Sequence, residues 1–436
     1  MTESIHIEAI EKVLSAIYPS GHPFLSSFFY SKPGVQSLLG GLGAEICAHQ
    51  KDYTDAILFI RRTGCNYLKF ISISEIRTIT TRFLIDNFWY ISSDAFWTDN
   101  NCAYISNVSR NNINILAEKL SQSALYNSSE SLILYPLQTV EVEDEFISDE
   151  FFLCGAANFS KNLLPSGVKF EQYNMAEFPP LVEAAGKRIS PRCWLGIKAP
   201  LAPIARKMKS SVLGAMSLTI IPRERYLFTG RELTGGKCTI NPKSMTYNFS
   251  NKSSTPSLSS DIKIDISDRS WLKLLAKILS SNDGQSRSQI RSLEYFYRAW
   301  FLEPSERFPI LCMSLDSLVN KTNNHTKEAI KFIDENIKLK IDLERLRLLL
   351  NIRGAVIHGA APDVYESDGY ESYYVRYGAD PVKDLDLIVG KCIREYVFEG
   401  KLNHHPDPHA DITEKVKKMG RIMPDMRKIN IIPDDI

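Results

Sequence analysis

The sequence predicts an α+β N-terminal region of unassigned fold, residues 1–255, followed by an all-α helical bundle, residues 265–436. Three observations carry this division. Up to about residue 250, helical spacing alternates with short β-branched and aromatic runs broken by Gly and Pro. The stretch Ser250 to Asp261 (S-N-K-S-S-T-P-S-L-S-S-D) is Ser-rich, offers little to bury and marks a linker. Beyond it the apolar pattern is helical almost throughout.

In order along the chain, Ile5, Ile10, Val13, Leu14 and Ile17 share a helical face, and Pro19, Gly21 and Pro23 stop that helix. Ala56 to Ile60 is a short apolar run that fits a strand or a buried helix equally well. Ser74 to Trp89 and Asn111 to Ala124 predict helices. Leu132 to Tyr135, Thr139 to Val142 and Phe151 to Leu153 predict strands. Ala202 to Leu218 predicts a helix, and Arg225 to Phe249, with Gly230, Gly235 and Gly236, predicts short strands and turns. The C-terminal helices are expected at 270–279, 287–302, 309–319, 327–336, 339–357 and 381–398. No repeat of 20–50 residues is present.

With 436 residues, 44% apolar and 24% charged, the chain has ample material for a core and for two or three domains. A net charge of +1 gives no global field for nucleic acid or membrane, so an RNA-binding surface has to be local. The eight cysteines contain no CxxC pair, and their scatter suits reduced thiols in a cytoplasm. Acidic Glu3 stands where a signal peptide would be basic, and no run of about 18 apolar residues predicts a membrane span.

The segment Leu348-Leu349-Leu350-Asn351-Ile352-Arg353-Gly354-Ala355-Val356-Ile357-His358-Gly359 carries the chemistry. An apolar helix reaches Arg353, and His358 follows five residues later beside Gly359. On an ideal helix these two are rotated by about 140°, so convergence needs the long Arg side chain, or distortion at Gly354 or Gly359. His titrates near neutral pH and suits proton transfer, while Arg keeps its charge and grips phosphate oxygens in pairs. A purely structural reading pairs Arg353 with Asp342, Glu344 or a helix terminus and makes His358 the cap of its helix.

This segment resembles the signature of the HEPN superfamily, an Arg followed by four to six residues and a His. It is most similar to the Apea-like branch, in which Gly commonly follows the His. Met313-Ser314-Leu315-Asp316-Ser317-Leu318 is similar to the acidic, leucine-rich helix that precedes the signature there. The resemblance covers about 270–400 and is silent on 1–250. It implies a metal-independent endoribonuclease with no cofactor, Arg353 and His358 catalytic, and Asp316 and Asn351 supporting. Gly354 departs from the polar residue common after the Arg, which moves that supporting role to Asn351. Cleavage would proceed by 2′-OH attack, with Arg353 contributing on the order of 3 kcal/mol to the charged transition state. The resemblance also implies a homodimer through the bundle, and a bacterial anti-phage or toxin-type role on host or phage RNA, tRNA among the candidates. The N-terminal region would then receive a phage-derived or small-molecule trigger, or hold a partner. The rival reading is an inactive HEPN-like scaffold for dimerisation or RNA binding.

RNA contacts are expected from Arg345 and Arg347 upstream of His358, and from Lys417 and Lys418 in the basic run Lys415 to Lys428. Arg287 to Arg298 interleaves basic and aromatic residues, which reads more simply as an amphipathic helix. His404-His405-Pro406-Asp407-Pro408-His409 clusters three imidazoles and a carboxylate, and its two prolines predict an exposed loop without metal. Gly40-Gly41-Leu42-Gly43 predicts a turn. Gly230 to Cys238 lacks the spacing and hydroxyl of a phosphate loop.

Overall fold

The computed structural model describes residues 2–30, 42–92, 102–128, 130–165, 167–168, 182–184, 187–189, 191–242, 244–319, 325–337, 341–419 and 430–432. The chain forms two compact units, Met1–Glu130 and Ser131–Ile436.

The first unit runs α1 (Thr2–Ala16), β1 (Ile17–Tyr18), β2 (Phe24–Tyr30), β3 (Leu42–Ala48), α2 (Gln50–Thr63), α3 (Ile73–Asp86), α4 (Phe88–Ser92) and α5 (Arg110–Ser121). Its antiparallel sheet has the order β1-β3-β2. The ambiguous run Ala56 to Ile60 lies in α2, with Tyr53, Ala56, Ile57 and Ile60 buried at helical spacing. Ser72 caps α3 in a reciprocal box with Glu75, which sets its start.

The second unit begins with β4 (Ser131–Leu137), β5 (Val140–Val142), β6 (Phe146–Ile147), β7 (Phe151–Gly155), β8 (Val182–Ala184), β9 (Lys187–Ile189) and β10 (Cys193–Ala199). Helix α6 (Ala202–Ser217) follows, then β11 (Gly235–Asn241), β12 (Ser244–Ser250) and β13 (Ile262–Ile264). Six strands form an antiparallel sheet of order β12-β11-β4-β10-β7-β6. Strand β13 pairs parallel with β5. The remainder is helical: α7 (Arg269–Ser280), α8 (Gly284–Ala299), α9 (Pro304–Val319), α10 (His325–Asn336), α11 (Leu343–Ile357), α12 (Asp368–Tyr377), α13 (Pro381–Cys392) and α14 (Ala410–Lys418).

Sequence and structure differ on where the chain divides. The Ser-rich stretch does not separate compact units; it is built into the second one. Ser254, Thr255 and Leu258 are buried. The Thr255 hydroxyl accepts from Thr139 at 2.7 Å, and the Ser254 carbonyl accepts from the Tyr297 hydroxyl at 2.8 Å. Small hydroxyl residues here fill narrow space and satisfy each other's hydrogen bonds, a role that composition alone assigns to linkers. The central strands are buried on both faces. Ile133, Tyr135, Leu195 and Ile197 join α6 and the bundle helices in one continuous core, while Leu132, Leu134, Phe152 and Trp194 face a smaller cluster. Among the described residues no helix is long and apolar enough to cross a membrane. All eight cysteines are unpaired.

Candidate functional site

Helix α11 begins at Asp342, whose carboxylate accepts from the Glu344 and Arg345 amides at 2.9 and 3.1 Å. Its buried residues are Arg345, Leu346, Leu349, Leu350, Ile352 and Arg353, a stripe at i, i+4 and i+8. Both arginines therefore lie on the core side of their own helix.

The helix is unbroken at Gly354, where the His358 amide donates to the Gly354 carbonyl at 3.1 Å. It ends at His358, and Gly359 takes a left-handed conformation, φ +76°. The Ala360 amide donates to the Ala355 carbonyl at 2.8 Å and the Gly359 amide to the Val356 carbonyl at 3.3 Å. That is a Schellman closure, and it leaves His358 as the C-cap of the helix, where the structural reading expected it. The His358 side chain is exposed and makes no hydrogen bond or ion pair among the described residues.

Arg353 is 5% exposed and donates through its guanidinium to the Asp316 carboxylate of α9. Asp316 keeps 29% of its side chain in solvent, so the pair reaches the surface through the acid and not the base. The Arg353 Nε is buried without a hydrogen-bond partner among the described residues. Asp316, expected only as a supporting residue, is thus the partner of Arg353. Asp342 and Glu344, the partners of the structural reading, are engaged elsewhere: Asp342 caps the helix and Glu344 pairs with Arg376. Asn351 is exposed, with no side-chain hydrogen bond to Arg353 or His358.

Arg345 is a correction. It is 6% exposed, and it donates through Nε to Asp384 at 2.8 Å and to the Tyr373 hydroxyl at 3.1 Å. Its guanidinium also lies over the Tyr373 and Tyr377 rings. Burial pushes the Tyr373 phenol well above its usual range, so it stays a donor, and Asp384 receives it. A charge committed to a buried carboxylate in this way is not presented at the surface, where the sequence expectation had placed it. Arg347, two residues on and off the apolar stripe, is exposed. Lys418 is exposed and pairs with Glu414 at 2.7 Å within α14. The side chain of Lys417, and Arg421, Arg427 and Lys428, lie outside the described residues.

The Arg287 to Arg298 stripe is amphipathic α8, with Phe296 buried and Tyr297 half-buried beneath exposed Arg287, Arg291 and Arg298. Gly235 and Gly236 belong to strand β11, and Gly43 to β3; Gly40 and Gly41 lie outside the described residues. The three imidazoles of 404–409 do not converge. His404 faces Arg394, His405 faces Asp268, and His409 faces Glu224.

Sequence reasoning placed no element at Cys193–Ala199 or Asp368–Tyr377. The first is a nearly unbroken apolar run of seven residues, the mark of a strand covered on both faces. The second has Ser367 as its N-cap and Gly378 at φ +62° as its stop, signals that were open to reading. No protein-family model, no curated protein and no solved structure matches the chain.

Proposed function

We propose that the C-terminal helical half acts as a metal-independent endoribonuclease of the HEPN type, with His358 as the proton-transfer group. The observation that supports this most directly is the end of α11. An exposed imidazole with no side-chain partner among the described residues stands five residues beyond an arginine that meets the acid of the second motif.

In this reading the 2′-OH of RNA attacks the adjacent phosphorus and the bond to the 5′-oxygen breaks. One imidazole takes the hydroxyl proton and another supplies a proton to the leaving oxygen. The products are a 2′,3′-cyclic phosphate and a 5′-hydroxyl. A two-fold pairing of bundles would supply the second imidazole from the partner chain. Arg353 reaches phosphate only by leaving Asp316, or acts by fixing that acid at the rim. An anti-phage or toxin-type role, with a trigger received elsewhere in the chain, belongs to the same proposal.

The burial and pairing of Arg353 favour a second reading, a non-catalytic module that dimerises or binds RNA. His358→Ala separates the two, because an exposed side chain is removed at little cost to stability. The nuclease reading expects cleavage, with or without EDTA, to fall by about 10²–10⁴-fold, with the melting temperature and oligomeric state unchanged. Cleavage that persists in His358→Ala, or that requires added metal, overturns it.

A further inference from the structure

We propose that Glu224, Asp407 and His409 form a binding site for a divalent cation of the zinc type. Among the described residues they are the one trio of His, Cys, Asp or Glu side chains whose ligand atoms converge, all within 4.8 Å of one another. Two come from the 404–409 loop, and Glu224 comes from the turn after α6.

Glu224 is the anchor. Its side chain is 7% exposed, yet its neighbours are loosely placed: the Ser259 hydroxyl at 3.4 Å, Arg223 Nε at 3.8 Å and His409 Nδ1 at 3.3 Å. A carboxylate this buried needs a cation or close donors, and these contacts supply little of either. Asp407 stands between Pro406 and Pro408, which restrict its backbone. The His409 amide donates to Asp407 Oδ1 at 2.9 Å, so that carboxylate is held by one oxygen while the other points to a cation. At present the cation is Arg223, whose guanidinium pairs with Asp407. With 40% of its side chain in solvent, Arg223 is free to swing out and yield its place.

The ligand set selects the metal. Mg²⁺ and Ca²⁺ prefer oxygen donors alone, whereas one imidazole with two carboxylates suits Zn²⁺ and its first-row neighbours. Glu224 and Asp407 line a cavity of about 590 Å³ that Thr219, Ser259 and His405 also border. Two of the three ligands border this open space, which leaves a fourth position for water or a small ligand, the arrangement of an open zinc site. None of these residues lies on α9 or α11, so this site stands apart from Arg353 and His358 and does not depend on the nuclease reading.

The test is titration calorimetry of the full, EDTA-dialysed chain with ZnCl₂, repeated with MgCl₂, together with the visible absorption of the Co²⁺ form. One saturable Zn²⁺ per chain is expected, with no Mg²⁺ binding. His409→Ala and Glu224→Gln should each weaken Zn²⁺ at least by the ~10–100-fold that even outer-shell partners lose. Arg223→Ala, which removes the competing cation, should tighten it severalfold. His409 is a surface side chain, so His409→Ala reports even where Glu224→Gln loosens the fold. Absence of saturable binding, unchanged affinity in both ligand variants, or thiolate-to-cobalt charge transfer in the Co²⁺ spectrum overturns the assignment.

Discussion

Among the described residues, replacing Arg345 with alanine removes the only cation paired with Asp384, a carboxylate 1% exposed. What remains is the Tyr373 hydroxyl and the Ile431 amide, the latter at a long 3.3 Å. Breaking a buried pair from one side costs about 3–5 kcal/mol, because the abandoned charge keeps its desolvation penalty. At about 2 °C per kcal/mol for a domain of this size, the melting temperature should fall by roughly 6–10 °C. Arg345→Leu combined with Asp384→Leu removes both charges and should recover most of that loss. Urea unfolding of the two singles, the double and the wild type closes the cycle. A loss below about 1 kcal/mol for Arg345→Ala would mean that the charge is not held as described. It would return Arg345 to the list of residues available to RNA.

Gly359→Ala and Gly354→Ala form a contrasting pair on α11. At φ +76° an alanine at 359 should cost roughly 1–2 kcal/mol and, on the nuclease proposal, lower cleavage by fraying the turn that carries His358. At helical 354, where an added Cβ meets nothing within 4 Å, it should stabilise by about 0.5–1 kcal/mol; thermal melts read both signs. Gly196→Ala drives a Cβ to 2.0 Å from the Phe152 ring and should cost about 3 kcal/mol in urea unfolding, partly restored by Phe152→Leu. For His404, burial and then Arg394, Arg225 and Lys391 push the pKa down to about 2. The native imidazole therefore refuses a proton that the unfolded chain takes below pH about 6.5. Stability should be unaffected above that pH and fall by up to about 1.4 kcal/mol per unit below it. Unfolding free energies at pH 7.5 and 5.5 that differ equally in wild type and His404→Gln would refute this.

Legibility varied with the kind of signal. The end of α11 was readable because Gly359 acts through local backbone chemistry, whereas the starts set by the caps Asp283 and Asp342 lay three or four residues from the expected ones. The resemblance named Asp316 and Arg353 separately, and their pairing across α9 and α11 is a tertiary contact that no local pattern supplies. The misreading of Arg345 shows what charge alone conceals: Leu349 and Arg353 follow it at helical spacing, and that periodicity placed it with the core. Position 309 misled in another way. Pro309 reads as a helix start, yet α9 begins one turn earlier, at Pro304, and runs through it. Asn351 was assigned a supporting role by pattern, and its exposure shows that pattern does not supply contacts. The partnering of Glu224 with His409 spans too much sequence for any local rule to reveal.

The continuous core of the second unit bears on how variants in cells should be interpreted. Because residues from β4, β10 and α6 fill the same interior as those of α9 and α11, a lesion in a strand propagates to the helices by loss of the common interior. If the nuclease proposal holds, a screen that scores lost activity will therefore recover substitutions in the sheet as readily as at His358. Abundance measured alongside phenotype is what separates the two groups. For the same reason, a fragment started at residue 255 would bare the apolar flank of the bundle, whereas one started at 131 keeps it covered.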